Sequence, residues 1–562
     1  MAASQDNTPS ISGYGVDAFN AWRRQADRWF DSHRGLAILL ALLTVSAFSL
    51  AIRFFWSQPI HMGGDAFYKW GIARRAAENL AFPIDATHHG MRWSIMIPVY
   101  LIQLVFGDAA SNYYIWPFAS STILACFGFL LVEKLSDWRW GLLAAFMFVT
   151  YDGMVFNGSQ FLPMGPAAMY LIAALYFLLR HIRERKTWAL VASAALLFCS
   201  YGAKITSIYY FPAFIIVIAL SESGPGERRF NRWKPLAVFL LTLLALFMLE
   251  TAVIRTTLHQ PNRIAVLKSG IHGDNPTAHF YDNLDKARDF FAKAPYALPP
   301  YPQDINWKQL SVTPWEYFWN FLIYYDLKPW AWASNLILYA ALLLAGVTLV
   351  RRNKSLYFLC IPYLFGFFAH AYAIRGLHPF LRPERILPRY LLLLFLLAIA
   401  LLIAFTADAL KRKTARPVLR YALLGLVLVL ALKQADDMRD VFPKMNGYAA
   451  TVATEHAITA ARSNGRAIVV SASRYKNVWG YYQIFGNPDT IPDYMDLFFY
   501  VTQCPEYHFP AFGARDKKIC DYQFATIGNG DWNNYCVIVE HNGNTDIEAM
   551  ENFTEVKMMG AP

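Results

Sequence analysis

The sequence predicts an all-α, polytopic membrane protein of about eleven transmembrane helices, followed by a small C-terminal extracytoplasmic α/β domain. Three observations carry this. Apolar side chains make up 56% of the 562 residues and charged ones only 16%, with a mean hydropathy of +0.26; soluble domains carry roughly a quarter charged residues. Apolar runs near the length of a bilayer core recur along the first 432 residues. Clusters of Lys and Arg punctuate these runs with a regular alternation. The composition excludes a disordered chain, a coiled coil and a string of soluble domains.

The runs are Leu36–Trp56, Tyr114–Val132, Trp140–Phe156, Pro163–Leu179, Trp188–Tyr201, Ile205–Leu220, Pro235–Ile254, Pro329–Val350, Leu356–Ile374, Tyr390–Ala407 and Val418–Leu432. A further stretch, Trp93–Phe106, contains Pro98 and is short for a core of about 30 Å, so it reads as an interfacial or re-entrant helix. Basic clusters stand at Arg23 to Arg34, at Lys134 and Arg139, at Arg180 to Lys186, at Arg228 to Lys234, at Arg351 to Lys354 and at Lys411 to Arg420. With eleven spans all of them share one side, which the positive-inside rule makes cytoplasmic. Were Trp93–Phe106 a span, the later clusters would oppose the first.

The expected division is a cytoplasmic segment at 1–34, a transmembrane domain at 35–432 with outer loops 57–112 and 255–328, and an extracytoplasmic domain at 433–562. The expected location is the plasma (inner) membrane, N-terminus inside. The net charge of +11 is then topogenic, and no nucleic-acid partner is expected. The polar first 34 residues show no cleavable signal-peptide pattern. In the tail, AIVVSAS at Ala467–Ser473 and CVIVE at Cys536–Glu540 read as strands, and Tyr448–Arg462 as helix. Cys126, Cys199 and Cys360 fall in spans as core residues; Cys504, Cys520 and Cys536 allow one disulfide, with the pairing open.

Cations on the outer side break the topology rule. Lys204 lies in SYGAKITSIYYFPAF, and Arg375, Arg382, Arg385 and Arg389 crowd IRGLHPFLRPERILPRY. A charge near hydrocarbon costs about 2–3 kcal/mol unless it is paired or reaches water. Its partner is either a headgroup phosphate or nearby carboxylate such as Glu384, or a phosphate on a lipid-linked substrate. Asp65 follows Gly63-Gly64 after the first span and heads a stretch, Asp65–Leu80, that reads as an interfacial helix. It is an N-cap candidate and also a carboxylate placed where a general base could act. Asp152 lies near the outer end of the third run, as a second acid or as a carboxylate at the water boundary. His88, His89 and Arg92 form a further polar cluster. Two histidines alone define no metal site, so no ligand set is assigned and a divalent metal stays open as a cofactor. Asn157-Gly-Ser159 and Asn552-Phe-Thr554 are formal glycosylation sequons.

The order of these features resembles the GT-C superfamily, and within it the polyprenyl-phosphate-sugar glycosyltransferases, which include the aminoarabinose transferase of lipid A and the protein O-mannosyltransferases. The resemblance runs through MGGDAFYKW (Met62–Trp70), HHGMRWSIMIPVYLIQLVFG (His88–Gly107), YGAKITSIYYFP (Tyr201–Pro212) and LPRYLLLLFLLAIALL (Leu387–Leu402). It implies an inverting enzyme that moves a sugar from a polyprenyl-phosphate donor to a glycolipid, cell-envelope glycan or protein acceptor on the outer face. Asp65 would then be the base, and Lys204 and Arg389 the donor-phosphate ligands, with Arg92, Lys69 and Arg375 as further candidates. Where many relatives carry a second acid near the fourth span, this chain reads NGSQFLPMGPAAMY, with Gln160. Where protein O-mannosyltransferases have Asp-Glu, it has Asp65-Ala66.

Two other functions suit the same residues. A transporter or flippase of a lipid-linked or anionic substrate would fit eleven spans, although the chain shows no clear internal repeat. An oligosaccharide ligase or polymerase would also place arginines in outer loops.

Overall fold

The structure, a computed structural model, describes residues 25–57, 65–84, 90–107, 109–221, 229–266, 332–377, 391–412, 417–441, 448–449, 452, 467–470, 535–541 and 544–549. Its helices, in order, are α1 (Arg34–Phe55), α2 (Asp65–Glu78), α3 (Trp93–Phe106), α4 (Ile115–Leu135), α5 (Trp138–Thr150), α6 (Asp152–Asn157), α7 (Met164–Glu184), α8 (Thr187–Ala203), α9 (Tyr210–Ser221), α10 (Arg229–Leu258), α11 (Trp332–Val350), α12 (Tyr357–Leu377), α13 (Leu392–Arg412) and α14 (Pro417–Val441). Each of the eleven apolar runs falls on helix. Among the described residues, six helices are long and apolar enough to cross a membrane, within α1, α4, α7, α10, α13 and α14. The third run differs from expectation. It breaks at Tyr151, whose backbone is extended (φ −60°, ψ 124°), into α5 and the short α6. Trp93–Phe106 forms one helix, α3, of 14 residues, which at a rise of 1.5 Å spans about 21 Å. That is too short for a bilayer core.

A helix that is apolar all round is stable only when enclosed, and α13 is that element. Leu391 through Ala404 are all buried, against α4, α5, α7, α11, α12 and α14. By contrast α1, α10 and α14 expose Leu39, Leu43, Leu241, Met248, Val429 and Leu432, the surface a lipid-facing helix presents. Tight reversals join neighbours. Asp137 caps α5 by accepting from the backbone N–H of Arg139 (2.9 Å), and Arg185 ends α7 in the left-handed region at φ 54°. Ion pairs gather where the basic clusters lie: Arg34 with Glu133 (2.8 Å), and Glu184 with Lys134 (2.9 Å), Arg180 (3.0 Å) and Lys186 (3.0 Å).

In the tail, β1 (Ala467–Val470) pairs parallel with β2 (Tyr535–His541), which pairs antiparallel with β3 (Asn544–Ala549). Both expected strands are present, and Cys536 lies on β2 opposite Ile468. Cys504, Cys520 and most of the expected helix at Tyr448–Arg462 lie outside the described residues. Tyr448 is described: its N–H donates to Ser57 Oγ (2.7 Å), and its ring meets those of Phe54, Tyr114 and Phe118. This ties the root of the tail to the end of α1.

Helices cross closely where a glycine removes a side chain. A Cβ on Gly202 would stand 2.7 Å from the Trp93 ring, whereas one on Gly346 would meet nothing within 4 Å. Gly202→Ala should therefore cost about 1–3 kcal/mol, read as a lower melting temperature of the detergent-solubilised protein. Gly346→Ala, in the same assay, should leave it unchanged or raise it.

Candidate functional site

The site grows around an interruption in the helices. Between α6 and α7 the chain runs Gly158 to Pro163 without helix, and in a membrane such backbone must be satisfied by protein. A buried cation and a phenol bond to this stretch. Lys69, fully buried in α2, donates from Nζ to the carbonyl of Phe161. Tyr113 Oη donates to Gln160 Oε1 (3.0 Å) and accepts from the Phe161 N–H (3.3 Å). Trp70, next to Lys69, packs on the rings of Tyr113 and Phe161. Arg53, in the last turn of α1 and also fully buried, donates from Nη2 to Val149 O (3.1 Å) and from Nε to Ser121 Oγ (3.3 Å). A Cβ on Gly158 would stand 3.0 Å from Arg53 Nε and 2.7 Å from the Met154 carbonyl, so only glycine fits over this guanidinium.

Asp65 opens α2, where the positive end of the helix favours a carboxylate. It stands one turn before Lys69, so the two positions share a helix face. Asp152 likewise opens α6, three residues beyond the carbonyl that Arg53 holds. The side chains of Asp65 and Asp152 lie outside the described structure.

A second polar knot lies across α3. Arg92, at its N-cap position, is buried, and Trp93 Nε1 donates to Glu250 Oε1 in α10 (2.8 Å). Arg263 Nη1 donates to the same oxygen (2.9 Å), and both partners are nearly enclosed, at 5% and 7% side-chain exposure. The Arg263 guanidinium lies 4.5 Å from the centroid of the Tyr201 ring, and its Nη2 reaches the Gly202 carbonyl (3.4 Å). Two residues on, Lys204 ends α8 in extended backbone (φ −144°, ψ 116°), partly exposed. The negative end of a helix favours a cation there. Between α3, α8 and α10 lies an apolar groove of about 270 Å³, lined by Phe82, Met91, Trp93, Phe198 and Leu249, with Glu250 at its edge.

The two knots are neighbours through α3. It packs against α2, where Gln103 Nε2 donates to the Trp70 carbonyl (3.3 Å), and against α8, where Ser94 Oγ donates to the Cys199 carbonyl (2.8 Å). The structure thus packs the helix bearing Asp65 and Lys69 and the helix that Lys204 ends against one short helix, which Arg92 caps. His88, His89, Arg382, Arg385 and Arg389 lie outside the described residues; Arg375 is in α12, with its side chain undescribed. Among the described residues no group of three His, Cys, Asp or Glu could hold a metal ion.

Sequence reasoning missed Arg53, Tyr113, Glu250 and Arg263. For two of them a signal was present: Arg53 and Glu250 are charges inside apolar runs, and intramembrane charge marks function or a specific partner.

No protein-family model matches the sequence, and no curated protein matches it. Solved structures of the Archaeoglobus fulgidus oligosaccharyltransferase overlay the chain loosely. The apo form is 10% identical with a TM-score of 0.40, covering 90% of this chain and 69% of that one. The archaeal oligosaccharyltransferase AglB in complex with an inhibitory peptide and a dolichol-phosphate is 12% identical with a TM-score of 0.39, covering 91% and 70%. The complex with Zn and sulfate is 12% identical with a TM-score of 0.45, covering 89% and 68%. No residue role is taken from these overlays.

Removing one member of a buried ion pair strands the other, at about 3–5 kcal/mol. Glu250→Ala should therefore lower the melting temperature sharply. Glu250→Gln combined with Arg263→Met, which removes both charges, should recover most of the loss in the same thermal scan.

Proposed function

We propose that the chain is a GT-C-type inverting glycosyltransferase, moving a sugar from a polyprenyl-phosphate donor to a glycolipid, envelope glycan or protein acceptor at the outer membrane face. The observation that carries this reading is the position of Lys204. It is a partly exposed cation at a helix end, two residues from a carbonyl held by Arg263, and the Glu250 partner of that arginine edges an apolar groove. A lipid phosphate needs a fixed cation for its headgroup and an apolar path for its chain, and Lys204 and this groove are the candidates for the two.

In the proposed reaction the Asp65 carboxylate accepts the proton of the acceptor hydroxyl. The oxygen attacks the anomeric carbon, the carbon–oxygen bond to phosphate breaks, and configuration inverts. The leaving polyprenyl phosphate takes the electron pair. Lys204, with Arg389 and Arg375, stabilises that charge as preorganised cations do. Lys69 supports the base indirectly, since its bond to the Phe161 carbonyl fixes the helix that Asp65 heads. Arg92, beside Trp93 at the groove, lies nearer the donor side. His88, His89 and Asp152 form the remaining polar candidates, and no step requires a metal. In this reading the basic face is cytoplasmic and residues 433–562 form an accessory outer α/β domain.

The test is transfer from a purified polyprenyl-phosphate monosaccharide to membrane acceptors. Asp65→Asn should lower kcat about 10²- to 10⁴-fold at normal membrane expression; full activity would remove Asp65 as the base. Lys204→Ala should raise the donor KM about tenfold, with acceptor KM unchanged. Uptake of donor into vesicles without acceptor would instead indicate a transporter, and transfer of a glycan block a ligase.

A further inference from the structure

A second cavity, of about 390 Å³, opens at the basic end of the bundle, where α7 and α9 finish and α12 begins. Arg183, at its rim, is nineteen residues along α7 from Met164, or about 29 Å by the helical rise. It therefore lies at the opposite end of α7 from the interruption that Lys69 satisfies. The inner wall is apolar: Ile182, Val217, Leu220 and Phe358. The rim carries Arg183 and Lys354, both exposed, and no carboxylate is among its described lining residues.

The charge balance at this face is the decisive feature. The nearby acids are already engaged, Glu133 by Arg34, Glu184 by Lys134, Arg180 and Lys186, and Asp408 by the side-chain amide of Asn353 (2.9 Å). Arg183 donates to a backbone carbonyl, that of Lys134, and neither Arg183 nor Lys354 has a carboxylate partner among the described residues. Lys354 opens the short 3-10 turn that leads directly into α12, so the positive end of that helix adds to the same field. The wall is continuous with a lipid-facing surface, since Leu220 is 42% exposed. An apolar cleft with a lipid-facing wall, under two exposed cations that form no ion pair among the described residues, is complementary to a phosphodiester carried on an acyl chain.

We propose that this cleft binds an anionic phospholipid, its phosphate between Arg183 and Lys354 and one acyl chain along Val217, Leu220 and Phe358. The site is separate from sugar transfer, and its test needs no transfer assay, so it stands or falls apart from the function proposed above. The full-length protein, purified in detergent, is titrated with phosphatidylglycerol, with phosphatidylcholine and with inorganic phosphate, and its melting temperature is followed. Phosphatidylglycerol should raise the midpoint saturably; the other two, at equal concentration, should not. At about fivefold per membrane-proximal cation, Arg183→Gln with Lys354→Gln should weaken the apparent affinity about 30-fold, while Arg183→Lys should retain it. Leu220→Trp, which fills the cleft and spares both cations, should abolish the effect. Equal stabilisation by phosphatidylcholine would reduce the cleft to an apolar filling site, and equal stabilisation by phosphate to an ion site; either overturns the proposal. So would undiminished affinity in the double variant or, should that variant fail to fold, in Leu220→Trp.

Discussion

Backbone that leaves the helix inside a membrane must find its hydrogen bonds within the protein, and this constraint organises one end of the helical bundle. The breaks on either side of α6, at Tyr151 and from Gly158 to Pro163, are the places where it bites. Arg53 holds the carbonyl of Val149 just before the first, Lys69 that of Phe161 in the second, and Tyr113 bonds both Gln160 and the Phe161 N–H. Each comes from a different element: α1, α2 and the 3-10 turn before α4. The interruption is thus the staple that fixes three elements at once. Asp65 inherits its place from it, being one turn from Lys69. Burying two cations is expensive, and the carbonyl dipoles of Val149 and Phe161 return part of that cost.

The second knot works by a different economy. Glu250 and Arg263 are a nearly enclosed ion pair, and a pair of that kind contributes little net stability compared with apolar packing. What it contributes is direction. Glu250 also accepts from Trp93, and Arg263 also stacks on Tyr201 and reaches Gly202. One pair of side chains therefore sets α10, α3 and the end of α8 relative to one another, and Lys204 follows from the last.

Much of this was legible beforehand, because hydrophobic runs and the side on which cations fall are local patterns. The apolar runs read from the sequence lie on helices, apart from the third, which divides between α5 and α6, and Lys204 does sit at a helix end. The break at Tyr151 was missed: Asp152-Gly153 interrupts the apolar run Trp140–Phe156 at that point, but the bond from Arg53 to Val149 O that accompanies it comes from far along the chain. Trp93 and Glu250 are 157 positions apart, so no window of sequence pairs them. Gln160, which stands where an acid would follow from the GT-C resemblance, proves to be a buried acceptor for Tyr113, a role that composition does not announce.

The enclosure of α13 bears on how the chain is made. Helices inserted one after another from the N-terminus would assemble α1 to α12 before the residues of α13 have left the ribosome. Until then the faces of α5, α7, α11 and α12 that receive it have only lipid to cover them. The bundle is thus a shell around a vacancy for most of its synthesis, and α13 enters the bilayer as a freestanding span that must shed its lipid on closing. Truncation after α12 would leave the centre missing rather than a bundle one helix short.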